Sequence, residues 1–188
     1  MKKNIITIAG KPGSGKSTTS KQLATELDFK HFSSGDLFRQ LGKERGVDVL
    51  GANLMAETEK EIDYLVDQKL RDLGASGDKL VIDSRMAWHW MPYSFKVYLE
   101  LDLAVAAERI IGEMSPERLL AEHIPGGNSA YTEILKERLV SESKRYLNLY
   151  NQNPYDLENY DLVVDTGTNQ VAEAVNLIES AFSDWLAK

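Results

Sequence analysis

The chain contains no cysteine, which excludes disulfides, cysteine-ligated zinc and thiol catalysis and is compatible with a reducing compartment. No apolar run is long enough to span a bilayer. The opening MKKNIITIAGKPG sets basic residues before apolar ones, but Gly10 and Lys11 cut the apolar stretch before it reaches signal-peptide length. Positive charge is scarce: 22 basic residues stand against 29 acidic ones, a net charge of -7, which opposes non-specific attraction to nucleic acid or to an anionic membrane. The expected localisation is cytoplasmic and the expected state a monomer, and the acidic balance speaks against nucleic acid or membrane as partner. Any anionic ligand must be met by locally placed Arg and Lys. There is no internal repeat and no linker-like segment, and 188 residues, 43% of them hydrophobic, supply one sizeable core rather than two.

What is present is an alternation of apolar runs and helical patterns. Ile5 to Ala9 is a short continuous apolar run ended by Gly10, which suits a strand covered on both faces in a parallel sheet. The stretch KSTTSKQLATELDF then places Leu23, Ala24 and Leu27 at helical spacing. KHFSSGDLFRQLGKERG reads as a second brief strand ending at Ser33 or Ser34, followed by a helix whose start is marked by Ser34 and Asp36. Helical character continues, with a break near Gly46 to Gly51, through AETEKEIDYLVDQKLRDLG. KLVID, SFKVYLELD and YDLVVDTG are further buried-strand candidates, with helices after the last two at 104–111 and 170–186. Strands alternating with helices predict an α/β three-layer sandwich around a parallel sheet of about five strands. The least regular stretch is GEMSPERLLAEHIPGGNSAY, where Pro116, Pro125 and the Gly126-Gly127 pair mark loop structure.

The segment GKPGSGKS, between the first strand and the first helix, fits the phosphate-loop pattern G-x-x-x-x-G-K-[ST] through Gly10, Gly15, Lys16 and Ser17. Glycines let successive backbone N–H groups face inward as an anion nest, and the helix start adds partial positive charge. Gly10, Lys11, Pro12, Gly13, Ser14, Gly15, Lys16, Ser17 and Thr18 are therefore the expected ATP-binding residues. Lys16 would reach the β- and γ-phosphates, the Ser17 hydroxyl would sit on Mg²⁺, and Thr18 would lie near the α-phosphate. No Asn is followed by Lys, so the guanine signature of a GTPase switch is missing.

Three Arg-bearing segments point to a second anion, because a parallel sheet brings the residues after its strands to one edge. SSGDLFR follows the second strand, VIDSR ends the third, and RLVSESKR lies on a late helix. Arg39 and Arg85 would converge beside the phosphate loop. Arg138, Glu142 and Arg145 stand at i, i+4 and i+7 and share one helix face, where two guanidinium forks can clamp phosphates and the carboxylate can orient them. Asp83 ends an apolar strand, a place from which a carboxylate can hold the Mg²⁺ shell.

Together these segments resemble the nucleoside monophosphate kinases, most closely the archaeal-type cytidylate kinases. SSGDLFR is similar to the family's S-[TA]-G-[DE]-x-x-R and implies Ser34, Gly35, Asp36 and Arg39 at the acceptor site. VIDSR resembles the [DE]-G-R strand end, and RLVSESKRY the R-x-x-S-E-x-x-R-Y helix. Arg85, Arg138, Glu142 and Arg145 are thereby implied among the phosphate and acceptor contacts, with Lys16, Arg85, Arg138 and Arg145 as the catalytic cations. Arg109, in AAERIIG, matches the Arg beside the lid that packs near the donor nucleotide. The resemblance implies a P-loop kinase domain with its core at 1–35, 78–111 and 136–188, an acceptor-binding insert at about 36–77 and a lid at about 112–135 that closes over both ligands. It also implies Mg²⁺, with Ser17 and Asp83 as its protein partners, and transfer of the γ-phosphate of ATP to CMP or dCMP.

Three departures bear on the acceptor. Ser84 stands where the family usually has Gly, Met86 where bacterial relatives carry a cytosine-reading Asp, and Glu113 where many relatives keep a lid Arg. Asp63 and Asp67 lie one turn apart in the insert, where a carboxylate can accept from a cytosine amino group, although such a pair is more often solvated. Trp88 and Trp90 are expected to pack rather than to stack on a base. His31, His89 and His123 share no ligand spacing and are assigned no metal. Three other readings stay open: another monophosphate as acceptor; a hydroxyl metabolite, which would need a general base near Asp36 or Asp83; and an ATP-binding regulator without acceptor chemistry.

Overall fold

The computed structural model describes residues 2–44, 61–114 and 127–188. The expected break at 46–51, most of the expected lid, His123 and the side chain of Arg39 lie outside the described residues. In chain order the elements are β1 (Ile5–Gly10), α1 (Lys16–Glu26), β2 (Lys30–Ser33), α2 (Ser34–Glu44), α3 (Glu61–Ser76), β3 (Leu80–Asp83), α4 (Ala87–Trp90), β4 (Phe95–Glu100), α5 (Leu103–Glu113), α6 (Asn128–Tyr150), β5 (Leu162–Asp165) and α7 (Val171–Ala187). The strands form one parallel sheet in the order β2-β3-β1-β4-β5. This is the three-layer α/β sandwich that the alternating pattern predicts.

β1 is central and buried along its whole length, and its alternation decides the two sides of the sheet. Ile6 and Ile8 join Leu23 of α1 with Val175, Ile178 and Phe182 of α7. Ile5 faces the other way, with Leu70 of α3, Ile82 of β3 and Met91 after α4. Each such aliphatic side chain contributes about 1.5–3 kcal/mol by leaving water. The last strand departs from expectation. YDLVVDTG reads as a buried strand, yet β5 is a sheet edge in which only Val164 is buried and Val163 is 41% exposed.

The helix starts are locally encoded. α5 begins on Asp102, whose side chain accepts from the backbone N–H of Ala104 and Val105. α7 begins on a capping box in which Gln170 and Glu173 bond reciprocally. Among the described residues, no helix is long and apolar enough to cross a membrane.

Candidate active site

The phosphate loop occupies the turn from β1 into α1. Gly10 must be glycine because a Cβ there would stand 2.4 Å from the Leu99 carbonyl oxygen of the neighbouring strand. Gly15, at φ 76°, turns the chain left-handed immediately before α1, a conformation that side chains resist. The half-buried Lys16 folds back over its own loop, donating to the carbonyls of Gly10 at 2.9 Å and Lys11 at 2.8 Å. Burial pushes its ammonium down to about 8, helped by Arg85 and opposed by Asp83 and Glu142.

The register that pairs Ile8 with Asp83 brings the end of β3 beside this loop. Ser17 Oγ donates to Asp83 Oδ2 at 2.7 Å. The Lys11 side chain turns away, bonded to Glu100 and to the Leu101 carbonyl. Pro12 and Ser14 are buried and Thr18 is exposed. On the α7 side, a groove runs from Ser14 and Gly15 to Asn169 and Gln170. Arg109 lines it and donates through Nη2 to the Thr166 carbonyl at 2.7 Å.

A second cleft opens where α2, α3, α6 and the end of β3 meet. Ser34, Gly35, Asp63, Arg85, Arg138 and Arg145 all line it. Its charges are arranged in two groups. In the first, Glu142 is 8% exposed and lies between two guanidinium groups, with Arg138 Nε 2.9 Å from Oε1 and Arg85 Nε 2.9 Å from Oε2. The Tyr155 hydroxyl also donates to Oε2. Burial alone would raise the Glu142 carboxyl, but Arg85 and Arg138 outweigh it and hold it at about 2. Burial would likewise lower Arg85, and Glu142 more than reverses that. In the second group, Arg145 Nε stands 3.8 Å from Asp63 Oδ2, while its Nη2 donates to the Tyr146 hydroxyl at 3.2 Å.

The family model for an AAA domain matches residues 9–126. The cytidylate kinase of Haloarcula marismortui is 42% identical over 165 residues, covering 86% of this chain and 80% of that protein. The cytidylate kinase of Methanocaldococcus jannaschii is 32% identical over 185 residues, covering 96% and 98%. This chain belongs to the cytidylate kinase family. The shikimate kinase of Bacteroides thetaiotaomicron superposes with a TM-score of 0.63 at 14% identity, covering 94% of this chain and 96% of that one. The gluconokinase of Sinorhizobium meliloti does so at 0.59 and 15%, covering 98% and 95%. At such identities the likeness is one of fold: a P-loop kinase fold.

Against the pattern of the cytidylate kinase family, the remaining expected residues sort clearly. Ser34 donates to the Asp83 carbonyl at 3.3 Å, tying the start of α2 to β3. Asp36, two positions further along the helix, is exposed and lies off the cleft lining, because two helical steps turn a side chain to another face. Ser84 lines the cleft, and its hydroxyl accepts from the Met86 N–H at 3.3 Å. Met86 itself is buried against Trp88, Tyr98 and Tyr146. Trp88 donates to the Arg85 carbonyl and Trp90 to Asp67 Oδ1, so both pack as expected. Among the described residues, no group of three His, Asp or Glu could hold a metal ion.

Asp63 and Asp67 reverse their expectation. Instead of being solvated they are 7% and 5% exposed, because α3 lays this face against α4 and α6. Three tyrosines were not singled out from the sequence. Tyr155 and Tyr150 hold Glu142 and Asp67, and Tyr146 anchors Arg145. Only Tyr146 carries a sequence signal, as the last residue of RLVSESKRY.

Proposed function

We propose that this chain transfers the γ-phosphate of Mg-ATP to CMP or dCMP, giving ADP and CDP or dCDP. The observation that carries this reading is the lining of one cleft by Arg85 and Arg138, both of which act on the charge of Lys16. An acceptor phosphate with a second pKa of about 6 is largely dianionic at neutral pH and needs no protein base. The obstacle is repulsion between two polyanions, and cations between them remove it by positioning and charge stabilisation.

In this reading Gly10 to Thr18 cradle the triphosphate and Lys16 exchanges its two loop carbonyls for phosphate oxygens. Arg109 flanks the donor nucleotide, and Ser34, Gly35, Arg39 and Arg85 receive the acceptor phosphate. Arg138 faces the same phosphate, and Glu142 keeps Arg85 and Arg138 apart and aimed. The adjacent Ser17 hydroxyl and Asp83 carboxylate are hard oxygen donors of the kind Mg²⁺ takes, so they fit the ion. When bound, Mg²⁺ neutralises charge on the β- and γ-phosphates.

The division into a core, an acceptor insert at about 36–77 and a lid at about 112–135 belongs to the same proposal. α5 runs to Glu113 and α6 starts at Asn128, so both ends of the lid segment are helical. We assign the reaction to the cytoplasm and to a monomer. A hydroxyl acceptor is disfavoured, because Asp36 lies off the cleft and Asp83 is engaged by Ser17.

The test is a coupled assay for ADP release over CMP, dCMP, UMP, AMP, GMP and common hydroxyl acceptors. The highest kcat/KM is expected with CMP or dCMP, and Arg85→Ala should lower it by about 100-fold or more while ATP still binds. ADP release that needs no acceptor, or that only a hydroxyl compound elicits, overturns the proposal.

A further inference from the structure

The acceptor cleft holds three buried polar atoms that no hydrogen bond from the described residues satisfies, Nε of Arg85, Oδ2 of Asp63 and Nε of Arg145. The first lies 2.9 Å from the Glu142 carboxylate and is compensated by its charge, which leaves the other two. They are 3.8 Å apart, too far to satisfy each other. Leaving such groups unpaired is costly and calls for a physical reason. Asp67, one turn along the same helix, makes the contrast: Trp90 Nε1 donates to one of its oxygens and the Tyr150 hydroxyl to the other. Asp67 fastens α3 to α4 and α6, whereas Asp63 keeps an acceptor open toward the cleft. Arg145 is anchored through Nη2 on Tyr146 and lies over that ring, which fixes where its Nε stands.

An open acceptor beside an open donor is a code. We infer that Asp63 and Arg145 read the Watson–Crick edge of the acceptor base, Asp63 Oδ2 accepting from an exocyclic amino group and Arg145 Nε donating to the adjacent ring nitrogen. The inference rests on the monophosphate-acceptor reading above. Cytosine presents an amino donor at N4 next to the N3 acceptor, and uracil presents the reverse, a carbonyl at O4 next to an N3–H. A uracil in this place would set its O4 against a carboxylate and its N3–H against a guanidinium. Adenine carries the same edge as cytosine, so the pair selects for the amino group and not for ring size.

Position along α6 agrees. Arg85 follows Asp83, which accepts from Ser17 of the phosphate loop, and Arg138 shares Glu142 with Arg85, so these arginines mark the phosphate end of the cleft. Arg145 is seven residues beyond Arg138, about 10 Å along the axis, and meets Asp63 there. The separation is on the scale of a nucleotide's phosphate and the far edge of its base. This moves Arg145 from the expected phosphate clamp to the base, and supplies a reader that Met86 does not.

The experiment measures kcat/KM for CMP and UMP at saturating ATP in the wild-type protein and in Asp63→Asn. The variant should use CMP about 10- to 100-fold less well, the range for a lost hydrogen bond to a charged group. Its CMP-to-UMP preference should fall at least about tenfold, with KM for ATP unchanged. A purely structural role for Asp63 would lower both substrates alike, and an unaltered preference overturns the inference. A second measurement needs no variant: the CMP analogue with hydrogen in place of the 4-amino group should lose about 10- to 100-fold on the wild-type protein, and equal use of the two also overturns it. Failure of the wild-type protein to phosphorylate CMP at all would instead remove the acceptor reading beneath.

Discussion

The phosphate loop and the arginine-lined cleft are coupled through the charge of Lys16 but are built on opposite principles. The cradle is backbone: a fully buried strand, glycines where side chains cannot fit, and a single ammonium bonded to its own loop carbonyls. The cleft is side chains from distant elements whose charges already compensate one another, Glu142 between Arg85 and Arg138, and Asp63 opposite Arg145. The difference teaches where each site is fragile. Backbone dipoles survive most substitutions, so the cradle has one vulnerable charge. In the cleft Glu142 neutralises Arg85 and Arg138, and Asp63 opposes Arg145, so removing one of them changes stability as well as function.

The sharpest break of this contrast is Lys16→Ala. It should lower kcat/KM by about a thousandfold, the upper range for loss of one preorganised stabilising donor. The global fold should hold, because the β1 core does not depend on Lys16. Steady-state kinetics with a denaturation curve checks both halves. Unfolding on the scale of a core deletion would mean that the cradle, too, is held together by its charge.

Glu142→Gln probes the other side. It leaves Arg85 and Arg138 facing each other without their anion, and should cost about 3 kcal/mol, the lower end for breaking a buried pair because Arg138 reaches solvent. A shift in Tm of about 6–12 °C is expected for a chain of this size. Because the wild-type carboxyl is held at about 2, below its ordinary 4.5, its contribution is full above about pH 4.5 and is lost as pH falls toward 2. Asp63 and Asp67, raised chiefly by burial, work in the opposite sense and favour the fold as they protonate. The variant should lack the acid-limb loss that belongs to Glu142, as melts across pH 2–5 would show. Inorganic phosphate or CMP should restore more stability to the variant than to the wild-type protein.

The same contrast explains what the sequence discloses. Eight contiguous residues specify the cradle, so Gly10 to Ser17 announce it without knowledge of tertiary packing. The five-strand parallel sheet is equally legible, since its inner strands are short, mostly apolar runs set between helical patterns. The β5 edge is not, because YDLVVDTG has a core composition and only its place at the end of the order exposes Val163. In the cleft, Arg138, Glu142 and Arg145 share a visible helical spacing, and family likeness adds Arg85. The burial of Asp63 and Asp67 has no local signature: it depends on how α3 packs against residues 23 and 83 positions away. Tyr155 sits in a loop 13 residues from its partner Glu142, where no periodicity could find it.

The smallest effect concerns Lys16 itself and sharpens the contrast without a mutation. Its ammonium is held at about 8, first by burial and then by Arg85. A triphosphate arriving there favours the charged form and raises the value again, so binding above pH 8 must take up a proton. ATP affinity should therefore be flat from pH 6.5 to 7.5 and should fall as pH rises from about 8 toward 10, by at most about tenfold per unit. Calorimetric titrations in buffers of different ionisation enthalpy measure the uptake directly. Close to one proton per ATP is expected near pH 9, and almost none at pH 6.5. Zero uptake at pH 9 would mean that neither burial nor the neighbouring Arg85 holds the Lys16 ammonium down.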